Sequence, residues 1–311
     1  MAVKKSGVAI IRGGIMGGDI ATVFAAGGWN VHVMSPSAKT RDALPARMAA
    51  GLDKLGAVAG HAANLRTHAS LEAIPWQDVD LVIEAAAEDL ALKQKLFTQL
   101  EMLARPEIPL TSNTSTIPIG EIGGHLKTRS RVAGLHYFMP AHLVPLVEII
   151  KAEHTDKAVV DWLEQNQREL GKAPVRLNKD IPGFLGNRLQ HAMMREALYL
   201  VADGVVTPEG VDTAVRYGFG FRFLACGPML QKEMSGWDTN VHGGNAVYPH
   251  LYAEKVPPQF LRDMVAKGDI GMKTRRGLWK WTDESIAKEK ARIEKVLQAA
   301  LAILKADAKQ K

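Results

Sequence analysis

The sequence predicts an α/β fold, a doubly wound parallel sheet over residues 1–179 followed by an all-α C-terminal domain over residues 180–311, on three observations. The first is Val8-Ala9-Ile10-Ile11, whose branched apolar residues read as a strand buried on both faces. It runs into the cluster Arg12-Gly13-Gly14-Ile15-Met16-Gly17-Gly18, a tight turn, and then a helix over residues 20–26. The second is the alternation of apolar strands with helices and polar loops as far as Ile150. The third is the break at Ile181-Pro182-Gly183-Phe184, after which the chain reads as helices and no strand alternation returns.

In the first turn, glycines let the backbone approach a pyrophosphate, and the helix start offers it unpaired N–H groups and partial positive charge. Gly14 and Gly17 hold the second and third glycine positions of G-x-G-x-x-G, while Arg12 stands at the first. Arg12, Gly13, Gly14, Ile15, Met16 and Gly17 are therefore the candidate phosphate contacts; an ordinary glycine-rich strand-to-helix turn is the competing reading. Residues 29–34 alternate as a second strand, whose end decides which dinucleotide is preferred, because an acidic residue there accepts from the adenosine ribose and repels a 2′-phosphate. That position is Ser35, followed closely by Ser37, Lys39 and Arg41, which favours NADP over NAD. Lys39 and Arg41 decorating an exposed helix start is the competing account, and Arg12 either reaches the same phosphate or marks a weakened site.

Residues 42–75 read as helical segments with a short strand near 65–67, residues 80–85 as a strand, 90–104 as a helix, and 109–112, 132–136 and 144–150 as further strands. Glu88, Ser115 and His136 fall at strand C-terminal ends, where ligands of such sheets gather. Beyond Asp180, residues 188–201, 208–217, 259–266 and 285–306 read as helices. In the last, Ile286, Ile293, Leu297, Ala300, Leu301 and Leu304 recur at helical spacing, the mark of a core or a subunit contact.

At 311 residues, 47% hydrophobic and 23% charged, the chain has the composition of a soluble two-domain protein. Its single cysteine, Cys226, read as a lone buried thiol, rules out an internal disulfide and fits a reducing compartment. No apolar stretch reaches membrane-span length. The start, Met1 to Lys5 before an apolar run, has a signal-like outline, but the glycines and Asp19 cut that run short; the chain reads as cytoplasmic. The formal charge of +6 comes without a dense basic and aromatic patch, so nucleic acid is not an expected partner. The charge-rich residues 288–295 are mixed in sign and read as a solvated helix face, and no His/Cys/Asp cluster has metal-ligand spacing.

His136 and Glu148 lie one strand apart, with Met139-Pro140-Ala141-His142 and Pro145 between them. An imidazole oriented by a carboxylate has a fixed tautomer and a stabilised cation, which suits removal of a hydroxyl proton while the carbon-bound hydrogen leaves as hydride to a nicotinamide. His142, set between prolines, is the competing histidine. A packed core histidine and, for Ser115 and Asn187, turn and helix caps are the structural alternatives.

These stretches resemble the L-3-hydroxyacyl-CoA dehydrogenases over nearly the whole chain. The resemblance is carried by Val82-Ile83-Glu84-Ala85 with Glu88 and Lys93, Ser112-Asn113-Thr114-Ser115, Gly134-Leu135-His136-Tyr137-Phe138-Met139-Pro140, Leu146-Val147-Glu148, Lys179-Asp180-Ile181-Pro182-Gly183-Phe184 with Asn187-Arg188, and Gly271-Met272-Lys273-Thr274 with Gly277. It implies a Rossmann-like first domain, His136 as base, Glu148 as its orienting partner, and Ser115 and Asn187 as holders of the reacting oxygen and neighbouring carbonyl. It also implies Glu88, Lys93 and Asn113 near the cofactor, a 3-hydroxyacyl-CoA or small 3-hydroxy acid as substrate within fatty acid or related metabolism, and a homodimer.

Four departures qualify it. Arg12 and Ser35 open the choice between NAD and NADP, and Met139 replaces an asparagine beside the base. The run from Gly218 to Pro228 is longer than in the acyl-CoA enzymes and is similar to relatives acting on small free acids, such as gulonate, carnitine and pyridine-carboxylate dehydrogenases. Arg222 within it either pairs with a substrate carboxylate or neutralises a helix end. Two other readings stand beside the dehydrogenase. A hydroxyisobutyrate-type enzyme is disfavoured because Gly183-Phe184-Leu185-Gly186-Asn187 has no lysine base, and a crystallin-like protein would bind the cofactor with little or no turnover.

Overall fold

The computed structural model describes residues 6–308, so the basic start at Met1 to Lys5 lies outside it. The chain divides into two compact units, one ending at Asn187 and the other starting at Arg188. The junction falls downstream of the break at Asp180 because the intervening stretch is tied to the first unit. Asp180 Oδ2 accepts from the Gly120 amide at 2.7 Å, and Phe184 is fully buried in the core.

The first unit comprises β1 (Gly7–Ile11), α1 (Ile15–Ala26), β2 (Asn30–Met34), α2 (Ala38–Lys54), β3 (Leu65–His68), β4 (Leu81–Glu84), α3 (Leu90–Leu103), β5 (Leu110–Ser112), α4 (Ile119–Gly123), β6 (Val132–Tyr137), β7 (Leu146–Ile150), α5 (Lys157–Glu169) and β8 (Ala173–Leu177). The strands form one sheet in the order β3-β2-β1-β4-β5-β6-β7-β8, parallel throughout except for the antiparallel pair β6–β7. The order reverses between β1 and β4, the switch point where such sheets take their ligands. Both faces are covered, which is why the strands read as continuous apolar runs. Val8 and Ile10 pack with Ile20, Phe24, Leu44 and Met48, whereas Ala9 and Ile11 share the opposite core with Leu96, Phe97 and Leu100.

α1 begins at Ile15, ahead of the expected residue 20, so Gly17 and Gly18 lie inside it. They read as breakers, yet the packing demands Gly17, whose Cβ would stand 2.0 Å from the Arg12 carbonyl oxygen; a Cβ on Gly18 would meet only the movable Arg47 guanidinium, at 2.7 Å. β8 carries no clear signal in the sequence; α5 is not among the expected elements, although its buried Val160, Leu163 and Gln167 recur at helical spacing. β8 contains Pro174, which lacks a donor and is tolerated because this strand is a sheet edge.

The second unit is helical, as expected, with no named strand among its described residues. α6 (Gly186–Ala202) leads into it, followed by α7 (Pro208–Ala214), a wide turn over Val215–Phe219, α8 (Gly220–Arg222), α9 (Pro228–Ser235), α10 (Trp237–Val247), α11 (Gln259–Ala266) and α12 (Asp283–Ala308). α9 and α10 go beyond the expected helices. Isolated bridges join Gly271 to Arg276 and Arg276 to Lys280. Among the described residues of these seven helices Gly244 of α10 is the single buried one. Cys226 is half-buried rather than enclosed, and no described helix is long and apolar enough to cross a membrane.

Candidate active site

The glycine turn has the shape of a phosphate cradle. Gly14 is the N-cap of α1 in extended conformation with no side-chain cap, so the first amides of a twelve-residue helix face outward unpaired by side chains. A Cβ on Gly14 would meet nothing within 4 Å, whereas one on Gly13 would strike Leu44 and Val33. Gly14 thus borders open space while Gly13 and Gly17 sit against protein. The turn therefore has the shape that fits a dinucleotide pyrophosphate, with Ile15 and Met16 at the start of the helix. Arg12 adopts φ 84° where glycine is usual, a left-handed conformation costing an L-residue about 1–2 kcal/mol. Its amide donates to Met34 O at 2.8 Å, and its guanidinium has no partner among the described residues.

At the end of β2, Ser35 is buried; its amide donates to His68 O at 3.0 Å and its carbonyl accepts from Arg41 Nη1 at 2.6 Å. Ser37 caps α2 by accepting from the Thr40 amide at 3.3 Å, and Lys39 is exposed. Nothing in the sequence announced the neighbouring pair, His32 Nδ1 and His68 Nε2 at 3.1 Å, because the strand order brings them together.

Between the ends of β4 and β5 lies a charged network. Lys93 is buried, and its ammonium donates to both oxygens of the fully buried Glu84, at 2.9 and 3.0 Å, with Glu88 Oε2 3.5 Å away. Ser112 Oγ also donates to Glu84, at 2.6 Å. Lys93 is thus committed to two carboxylates, and Glu88 is the half-exposed member of the group. Asn113 Oδ1 accepts from the Tyr137 amide at 2.8 Å, joining this loop to β6 beside His136. Burial alone would raise the Glu88 carboxyl, but hydrogen bonds from Thr114, Thr116 and Ser115 and the charge of Lys93 hold it below the usual carboxylate range.

His136 and Glu148 are directly opposite in the antiparallel β6–β7 pair, so their side chains share a face. His136 Nδ1 lies 2.7 Å from Glu148 Oε2, with His136 3% and Glu148 0% exposed. The other carboxylate oxygen accepts from the amides of Leu185 and Gly186 at 3.0 and 2.7 Å, so both sides of Glu148 are engaged. The imidazole is held between Phe138 and Phe184, at centroid distances of 4.6 and 5.7 Å. Phe138 also explains Gly186, whose Cβ would stand 2.6 Å from the ring. With Nδ1 on the carboxylate, Nε2 is the nitrogen able to take a proton.

Ser115 and Asn187 meet, Asn187 Nδ2 donating to the Ser115 carbonyl at 3.0 Å, while the Ser115 hydroxyl has no hydrogen bond among the described residues. His142 lies beside Asp19, Nδ1 to Oδ2 3.6 Å, not against Glu148. Met139 is 66% exposed. Arg222 belongs to the second unit, where with Leu224, Cys226, Met234 and Ile303 it lines a cavity of about 580 Å³.

Residues 7–181 match the family model for the 3-hydroxyacyl-CoA dehydrogenase NAD binding domain, and residues 183–281 match that family's C-terminal domain. A 5-formyl-3-hydroxy-2-methylpyridine 4-carboxylate 5-dehydrogenase of Mesorhizobium japonicum is 31% identical over 96% of this chain and 97% of its own. The 3-hydroxyadipyl-CoA dehydrogenase of Escherichia coli is 35% identical over 91% of this chain and 61% of its own. Among solved structures, a 5-formyl-3-hydroxy-2-methylpyridine 4-carboxylic acid 5-dehydrogenase, described as an NAD+-dependent dismutase, superposes with TM-score 0.88 at 28% identity, covering 97% of this chain and 99% of the other. A (S)-3-hydroxybutyryl-CoA dehydrogenase from Ralstonia eutropha gives TM-score 0.71 at 29% identity, over 90% and 100%. With both of the family's domains matched in order along its length, the chain belongs to the 3-hydroxyacyl-CoA dehydrogenase family of NAD-binding oxidoreductases.

Proposed function

We propose that this protein interconverts the 3-hydroxyl and 3-keto forms of a small acid by proton removal at His136. The observation that carries the proposal is the buried His136–Glu148 pair on a strand end of a dinucleotide-binding sheet. Glu148 holds the proton on Nδ1, leaving Nε2 to accept the substrate's hydroxyl proton, and its charge stabilises the imidazolium so formed. The Ser115 hydroxyl is free to hold the reacting oxygen, and Asn187 fixes the Ser115 backbone. The nicotinamide, when bound, supplies the hydride acceptor. Arg12, Gly13, Gly14, Ile15, Met16 and Gly17 would hold its phosphates, and Glu88 and Asn113 the loops beside it.

One relative similar over 96% of this chain and 97% of its own is named for a pyridine carboxylate, and the solved structure of that name superposes with TM-score 0.88, which favours a free acid over a thioester. Ser35 in place of an acidic residue, with Arg41 on its carbonyl and the unpaired Arg12 guanidinium, favours NADP as the dinucleotide. The second unit exposes Leu189, Phe221, Met234, Val241 and Ile303 at 57–79%, apolar surface that a second copy in a homodimer would cover. A reducing compartment such as the cytoplasm suits the single cysteine.

A panel of free 3-hydroxy acids and 3-hydroxyacyl-CoAs, assayed with NAD and with NADP, tests this reading. Turnover of at least one free acid that His136→Gln slows by about 100-fold or more is the expected result. Cofactor binding without turnover on any member would instead leave a binding protein of this fold.

A further inference from the structure

The network beneath Ser115 has a role that cofactor contact alone does not explain. Glu88 Oε1 accepts four hydrogen bonds from three consecutive residues: Thr114 Oγ1 at 2.6 Å, the Ser115 amide at 2.9 Å, the Thr116 amide at 2.9 Å and Thr116 Oγ1 at 3.0 Å. So many donors on one oxygen fix the loop's backbone against a single point. Glu88 Oε2 is in turn drawn to the Lys93 ammonium, itself pinned by Glu84. Glu84 ties the group to both strands, accepting from Ser112 Oγ on β5, whose oxygen also accepts from the Thr114 amide at 3.1 Å. From the other side, Asn187 Nδ2 holds the Ser115 carbonyl. Ser115 is therefore clamped at its amide by Glu88 and at its carbonyl by Asn187, leaving its hydroxyl as the free polar group.

We propose that Glu88, backed by Lys93 and Glu84, is a positioning residue that presents the Ser115 hydroxyl to the reacting oxygen. This rests on the reading of Ser115 given above. A buried Glu84 in an apolar strand is costly unless paired, and its pairing here leads through Lys93 and Glu88 to one loop of three residues. Glu84 also accepts from the Ala86 amide and Lys93 donates to the Ala86 carbonyl at 3.4 Å, so the group holds the turn after β4 as well, and a hydroxyl that must meet a substrate atom needs a rigid mount of this kind.

Glu88→Gln tests it, keeping the shape but presenting a weaker neutral acceptor and losing the attraction to Lys93. At saturating cofactor its kcat should fall about 10- to 100-fold. The cofactor Kd, read by quenching of protein fluorescence, should stay within about 2-fold, and the Ser115 and Thr116 amides should exchange hydrogen faster. In a Ser115→Ala background the same change should have almost no further effect, because it acts through that hydroxyl. A weakened Kd with wild-type kcat at saturation would make Glu88 a cofactor ligand only and overturn the proposal, as would losses that multiply in the double variant. Should Glu88→Gln fail to fold, Thr116→Val removes a single donor; an unchanged kcat there also overturns it. His136→Gln, run in parallel, separates the two ideas: an unaffected rate in that variant defeats the reaction assignment, not the clamp.

Discussion

Replacing Glu148 by glutamine changes one proton acceptor into a donor at the centre of the site. The carboxylate serves His136 Nδ1 with one oxygen and the Leu185 and Gly186 amides with the other. In Glu148→Gln the amide oxygen stays with those two N–H groups, since turning it would leave two donors unmet at about 1–3 kcal/mol each. Its NH2 then faces Nδ1, which must accept. The imidazole proton moves to Nε2, so the nitrogen required as base already carries a proton. We expect kcat to fall by roughly 10²- to 10⁴-fold, or about 3–5 kcal/mol of barrier. The fold should lose no more than about 1–2 kcal/mol, because all three contacts retain a partner. Single-turnover oxidation at saturating cofactor, alongside denaturant unfolding, measures both. A kcat within about threefold of wild type, in a folded variant, would refute the tautomer argument.

Gly14→Ala should melt like the wild type but bind the dinucleotide at least about 10-fold more weakly, since its methyl group would enter open space at the cradle; calorimetric titration checks this. Gly17→Ala should instead lower Tm as well, because its Cβ would force α1 off the Arg12 carbonyl. Ser35→Asp should move the NADP/NAD preference toward NAD by about 10- to 100-fold in kcat/KM, through repulsion of the 2′-phosphate. The His32–His68 pair sets a pH dependence. Burial, before the charge of His68, lowers the His32 pKa from 6.5, and burial likewise lowers that of His68. The unfolded chain then binds protons first as pH falls, so stability is full above pH 6.5 and declines below it. Denaturant midpoints of His68→Gln should fall less steeply between pH 6.5 and about pH 5 than those of the wild type.

The parts of the fold written locally were legible in the sequence. Val8 to Ile11 with its glycine turn and the apolar strand ending in Glu84 each carry their signal within a few residues of chain, and His136 and Glu148 read as lying one strand apart, though their antiparallel pairing does not. The start of α1 is obscured in the sequence because Gly17 and Gly18 disfavour a helix by propensity, and only the close approach of the Arg12 backbone explains why Gly17 lies inside one. β8 was missed because its proline and arginine mask the alternation, and an edge strand needs less of it. In the candidate site, the dyad could be read, but the clamp on Ser115 could not, since Glu88 and residues 114–116 meet only once β4 and β5 are paired. One clue was present: a glutamate ending an apolar strand had to find a cation, and Lys93 lies on the following helix.

If the His136 imidazole takes the substrate's hydroxyl proton, its loss shows in the turnover number of His136→Gln at saturating dinucleotide. The expected kcat is roughly 10²- to 10⁴-fold lower, with the dinucleotide bound as tightly as before. A His136→Gln enzyme that turns over a proven 3-hydroxy acid at the wild-type rate would contradict it.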